Sequence, residues 1–127
     1  MNLFPLANRL QTASLGIKGK TLFLEMMPAD SSSAILLRNP LAGTKIDHEL
    51  PDYFYTNFQL IVRSLGYDDG ALLVKQVVAA MTFGELELEG QSFKFCRART
   101  LPVAFPLSKG NLVEYNVTFD CAYCEAT

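Results

Sequence analysis

With 127 residues, the chain is near the commonest domain size and can bury about two thirds of its surface around one core without disulfide or metal staples. Half of it is apolar, yet no apolar run approaches the roughly 18 to 20 residues of a membrane span. The opening Met1-Asn-Leu-Phe-Pro5 lacks the positive region and cleavage site of a secretory signal, so a cytosolic product with no membrane partner is expected. Lys and Arg number 11 against 13 Asp and Glu, and the net charge of −2 excludes whole-chain attraction to nucleic acid or anionic lipid.

Residues 1–127 read as a single α+β domain, with a mostly antiparallel or mixed sheet packed against two helices. Pro5 suits a first helical position, Leu3, Leu6 and Leu10 fall on one stripe, and Gly16 suits a stop, so the first helix is predicted over Pro5 to Leu15. Strands are predicted near Thr21 to Met27 and Ala34 to Arg38, and the short Asp30-Ser-Ser-Ser33 link between them suits a hairpin. Tyr55 to Ser64 alternates with period two: Thr56, Phe58, Leu60, Val62 and Ser64 lie on one face, Tyr55, Asn57, Gln59, Ile61 and Arg63 on the other. From Ala71 to Phe83 the period becomes helical, with Leu73, Val74, Val77, Val78 and Met81 on one stripe and Asp68-Asp69 placed to cap the start. Further strands are expected at Glu85 to Leu88, Phe93 to Arg99 and Leu112 to Tyr123. The last is the clearest, with Val113, Tyr115, Val117, Phe119, Cys121 and Tyr123 against Glu114, Asn116, Thr118 and Asp120.

Asn39 to Asp52 is the longest stretch without periodicity, and loops of this length in small domains are either functional or disordered. It carries Leu41, Ile46 and Leu50, apolar residues that either fold back on their own core or form a contact arm buried by a neighbouring subunit. His48, the one histidine, lies here between Asp47 and Glu49 and reads as a solvated residue, not a general base. No nucleophile elbow or phosphate-binding glycine spacing occurs, so no catalytic residue is expected. Cys121-Ala-Tyr-Cys124 has a zinc-type spacing that Cys96 and His48 would complete, but the pair ends an alternating strand and its sulfurs should point to opposite faces. No metal or other cofactor is expected. Lys94, Arg97 and Arg99 gather on one late strand, where Arg97 and Arg99 are expected to share an outward face with Phe93 and Phe95. Such a mix suits a subunit contact or base stacking. Pairing with the acidic strand Glu85 to Glu89 would set glutamates against these arginines and neutralise the patch.

Several of these pieces occur in an order that resembles the tail-terminator (tail-completion, minor capsid) proteins of tailed bacteriophages. They are Phe23-Leu-Glu-Met-Met-Pro28, Ile35-Leu-Leu-Arg-Asn-Pro40, the acidic turn Gly43-Thr-Lys-Ile-Asp47 and Gln59-Leu-Ile-Val-Arg-Ser64. After them come the helix start Tyr67-Asp-Asp-Gly70, Leu101-Pro-Val-Ala-Phe-Pro106 and the closing strand Val113 to Tyr123. No single piece is specific; their order over roughly a hundred residues is. Residues up to Gly19 do not contribute.

The resemblance implies a structural virion protein, made in the host cytoplasm, that acts by assembly and without catalysis. Similar proteins form a homo-oligomeric ring, usually of six subunits, that caps the major tail tube protein and meets the head-completion or connector protein, while DNA passes through the lumen without specific binding. The candidate subunit or partner contacts are Leu41, Ile46, Asp47, Leu50, Arg63, Arg97 and Arg99. The competing reading is a small-ligand or peptide-binding α+β module with its pocket between sheet and helix, which would need polar groups converging among an apolar lining. The predicted second-helix stripe is purely aliphatic.

Overall fold

In the computed structural model, which describes residues 1–106 and 112–125, the leucine stripe of the first segment winds into α1 (Phe4–Thr12) and buries Leu6 and Leu10 completely. The helix stops earlier than Gly16. Ser14 takes a left-handed conformation (φ 61°), its N–H donates to the Gln11 carbonyl (3.0 Å), and the Leu15 N–H donates to the Leu10 carbonyl (3.1 Å). This closure satisfies the last-turn carbonyls without glycine.

β1 (Leu22–Leu24) and β2 (Ala34–Arg38) lie side by side, but they are parallel, with Leu22 opposite Ile35 and Leu24 opposite Leu37. The expected hairpin is therefore replaced by a crossover. A three-residue strand advances only about 10 Å, and the link from Glu25 to Ser33 can retrace that distance several times over at about 3.3 Å per residue. Glu25 starts the return with φ 68°. The link is held by Arg63 of β3 (Tyr53–Leu65), whose guanidinium donates to the carbonyls of Pro28, Ala29 and Ser31 at 3.1 to 3.3 Å.

β3 pairs antiparallel with β2 and, along its whole length, with β7 (Leu112–Glu125), and both strands keep the predicted alternation. Phe58 and Phe119 face each other across this ladder with ring centroids 5.2 Å apart, at the centre of the core. The strand order is β1-β2-β3-β7-β5-β4, where β4 is Leu86–Leu88 and β5 (Gln91–Ala98) is followed along the same edge of β7 by β6 (Val103–Pro106), a strand not expected from the sequence. One face of this seven-stranded mixed sheet carries both helices, which makes the fold α+β.

α2 (Tyr67–Met81) presents Val74, Val77 and Met81 to the core and starts four residues before the helical period becomes visible. Asp68 and Asp69 consequently lie inside its first turn and are not caps: Gly66 (φ 89°) precedes the helix, and no side chain caps it. Their carboxylates act through the positive end of the helix dipole instead. Gly70 sits where α2 crosses Tyr115, whose hydroxyl donates to the Tyr67 carbonyl (2.8 Å); a Cβ at Gly70 would lie 2.6 Å from the Tyr115 ring and 3.1 Å from Ser64 Cβ. Alanine in a helix gains about 1 kcal/mol over glycine, whereas overpacking costs about 1–3 kcal/mol. The clamped ring makes the clash dominate. Gly70→Ala is expected to lower the melting temperature and Gly70→Val to lower it further; a stabilised alanine variant in thermal melts would contradict this packing.

β5 departs from the expected facing. An extra residue, Lys94, bulges between Phe93 and Phe95, so Phe93 stays opposite Tyr123 while Phe95 moves opposite Ala122. Phe93 is thereby turned into the core, 1% exposed, and only Phe95 shares the outer face with Arg97. β4 (Leu86–Leu88) pairs with Gln91 to Phe93, which sets Glu87 against Ser92 and away from the arginines. The expected neutralisation by the acidic strand is replaced by Asp120 of β7, which lies opposite Arg97 and forms an ion pair with Arg99.

Candidate functional site

The face of the sheet away from the helices is a polar surface wired across strands. The Arg38 guanidinium donates to Gln59 Oε1, and Gln59 Nε2 donates to Asn116 Oδ1 at 3.0 Å. Arg63 meets Glu114 at 2.8 Å with both side chains mostly buried, and Arg99 grips the Asp120 carboxylate through Nε and Nη2. The hydrogen bond and charge of Asp120 hold the Arg99 guanidinium above its usual range. Cross-strand pairs of this kind fix side-chain positions and leave few polar groups to reorganise when a partner covers them.

The loop Asn39 to Asp52 borders this face. Its ends are tied to the chain: Asn39 Nδ2 donates to the Met1 carbonyl (2.8 Å), the Thr44 and Thr56 hydroxyls share a hydrogen bond (3.1 Å), and the Tyr53 N–H donates to the Leu50 carbonyl (3.1 Å). Between those ties the apolar residues point outward, with Leu41 fully exposed, Ile46 at 59% and Leu50 at 53%. Ile46, Asp47 and Leu50 line a groove of about 640 Å³ with Lys45, Tyr53 and Tyr55. Tyr55 touches Phe95 edge-on (5.9 Å between centroids), and the Arg97 guanidinium lies 4.4 Å over the Phe95 ring, so Arg97 continues the same patch. Leu41 and Arg99 instead border a hollow of about 300 Å³ with Arg38, Asn57, Gln59 and Thr118.

The structure thus brings Ile46, Asp47, Leu50 and Arg97 together and sets Leu41 beside Arg99. Arg63 stands apart, with Glu114 and three backbone carbonyls as its partners. Tyr55, an exposed aromatic that sequence reasoning did not single out, joins the loop to half-buried Phe95 and through it to Arg97. The exposed row Leu101, Val103 and Phe105 was also missed, although its period-two spacing was readable around Pro102 and ahead of Pro106.

Cys121 faces the core and Cys124 the opposite side of β7, as the alternation predicts, and His48 is exposed in the loop far along the chain from both. Among the described residues no three His, Cys, Asp or Glu side chains gather in a metal-binding group. No helix among them is long and apolar enough to cross a membrane.

The arrangement offers surfaces for other chains. A chain of the solved "Virion of native gene transfer agent (GTA) particle" has the same fold, with a TM-score of 0.68 at 14% identity, covering 94% of this chain and 93% of that one. No protein of curated function matches the sequence. The family described as bacteriophage tail terminator protein matches residues 9–124, from α1 to the end of β7. The chain therefore belongs to the bacteriophage tail terminator family, and its role is that of a structural component of the phage tail in the virion.

Proposed function

We propose that copies of the chain, made in the host cytoplasm, close into a ring, of six subunits in the simplest case, that caps the last ring of major tail tube protein and presents its other side to the head-completion or connector protein. The ring works by assembly and without catalysis, and the genome passes through its lumen without specific binding. Family membership supports the tail end as the place of action. The observation that carries the contact mode is the loop Asn39–Asp52, anchored at both ends yet exposing Leu41, Ile46 and Leu50. Three aliphatic side chains presented to water along one anchored loop suit a subunit contact, which would bury them.

A head-to-tail contact between unlike surfaces generates a closed ring when its rotation closes, and a terminator has to stay dispersed until a tube end is available. Native mass spectrometry of the purified chain is therefore expected to show mostly monomer at low concentration, and imaging of assembled particles to show a ring of this protein at the head–tail joint. Particles without copies of the chain at that joint would sink the proposal.

A further inference from the structure

Cys96 on β5 stands directly opposite Cys121 on β7, and both side chains are completely buried on the core face. The Cys96 N–H donates to the Phe83 carbonyl (2.8 Å) and its carbonyl accepts from the Phe83 N–H (2.9 Å), so its backbone groups point away from β7. The two cysteines are accordingly a non-hydrogen-bonded cross-strand pair. In such pairs the Cα atoms lie about 4.5 Å apart, inside the roughly 4.4–6.8 Å that a disulfide spans. Cys124, on the other face of β7 and opposite Ser92, is not aligned with either.

We propose that Cys96 and Cys121 are a cross-strand dithiol that a peroxide-class oxidant converts to a disulfide, stapling β5 to β7. The sulfur of one thiolate attacks a peroxide oxygen, the O–O bond breaks, and a sulfenic acid forms. The second thiolate then attacks that sulfur, the S–O bond breaks, and the S–S bond forms. Overall the two thiols lose two electrons and two protons, and hydrogen peroxide becomes two waters.

Burial pushes both thiols up, Cys121 to about 12, so the closed fold keeps them protonated and slow to react. Oxidation therefore proceeds through opening of the β5 edge, which is held on its outer side only by three-residue β4 and the Phe83 pair among the described residues. Once formed, the bond closes residues 96–121 into a loop that contains the exposed Leu101 to Phe105 row. This property belongs to the single chain and stands whether or not the chain forms a ring.

The test uses the full chain carrying Cys124→Ser, which removes intermolecular linkage. Exposure to hydrogen peroxide a few degrees below melting, followed by iodoacetamide in denaturant, is expected to yield a species two hydrogens lighter with no alkylation at either remaining cysteine. Its melting temperature should rise by on the order of 10 °C and return on addition of dithiothreitol. The Cys96→Ser/Cys124→Ser variant should show neither change. Full alkylation of both thiols after prolonged exposure, sulfonic acids in place of the cross-link, or a cross-link that lowers the melting temperature would overturn the proposal.

Discussion

Replacing Leu41, Ile46 and Leu50 together by serine is expected to abolish tail completion while leaving the isolated chain folded. Leu41 is fully exposed, and Ile46 and Leu50 show more than half of their surface to water. Changes at such positions usually cost within about 0.5 kcal/mol each, and even with the partly buried pair the total should stay near 1–2 kcal/mol. The corresponding shift is a few degrees for a domain of this size. Were the three side chains packed on their own core, each truncation would cost about 2 kcal/mol or more, and the sum would consume most of a marginal stability. Thermal melting beside a head–tail joining assay separates the outcomes. A stable variant that cannot complete tails supports the contact arm, and a stable variant that completes them normally removes this loop from the assembly surface.

Arg63→Met is expected to be the most damaging change outside the aliphatic core, at about 3 kcal/mol, or roughly 10 °C in melting temperature. The Arg63 side chain is only 13% exposed and that of its partner Glu114 19%, so solvent screens the pair less than an open surface pair. Methionine fills the same channel but leaves the Glu114 carboxylate without its cation, and strips donors from the carbonyls of Pro28, Ala29 and Ser31. Those carbonyls belong to the link that lets β1 run parallel to β2, so the loss should loosen that edge as well. Adding Glu114→Leu should restore the share due to the stranded carboxylate and not the share due to the carbonyls. A urea-melt double-mutant cycle measures both. A loss for Arg63→Met below about 1 kcal/mol would mean that the pair behaves as an ordinary surface ion pair and does not hold the crossover.

Where a residue's environment is decided by its own strand or helix, the sequence was sufficient. The alternation of Tyr55 to Ser64 and Val113 to Tyr123 and the stripe through Val74, Val77 and Met81 each placed the correct face in the core, because these periods repeat the geometry of the element itself. The order of the family's pieces was readable as a resemblance, and the apolar content of the Asn39 to Asp52 loop directly from its residues. Relations between elements were decided by the tertiary structure. β1 runs parallel to β2, and the link that returns the chain between them is contacted by Arg63, more than thirty residues later, a relation that no local pattern contains. The facing of Phe93 depends on the bulge at Lys94, since one extra residue reverses the parity of everything after it. The partner of Arg99 follows from β7 running beside β5, which sets Asp120 within reach while the acidic strand ends short of it. The continuous patch from Ile46 and Leu50 through Tyr55 and Phe95 to Arg97 exists only because three separate segments meet on one sheet face, an arrangement set by register and not by any local pattern of residues.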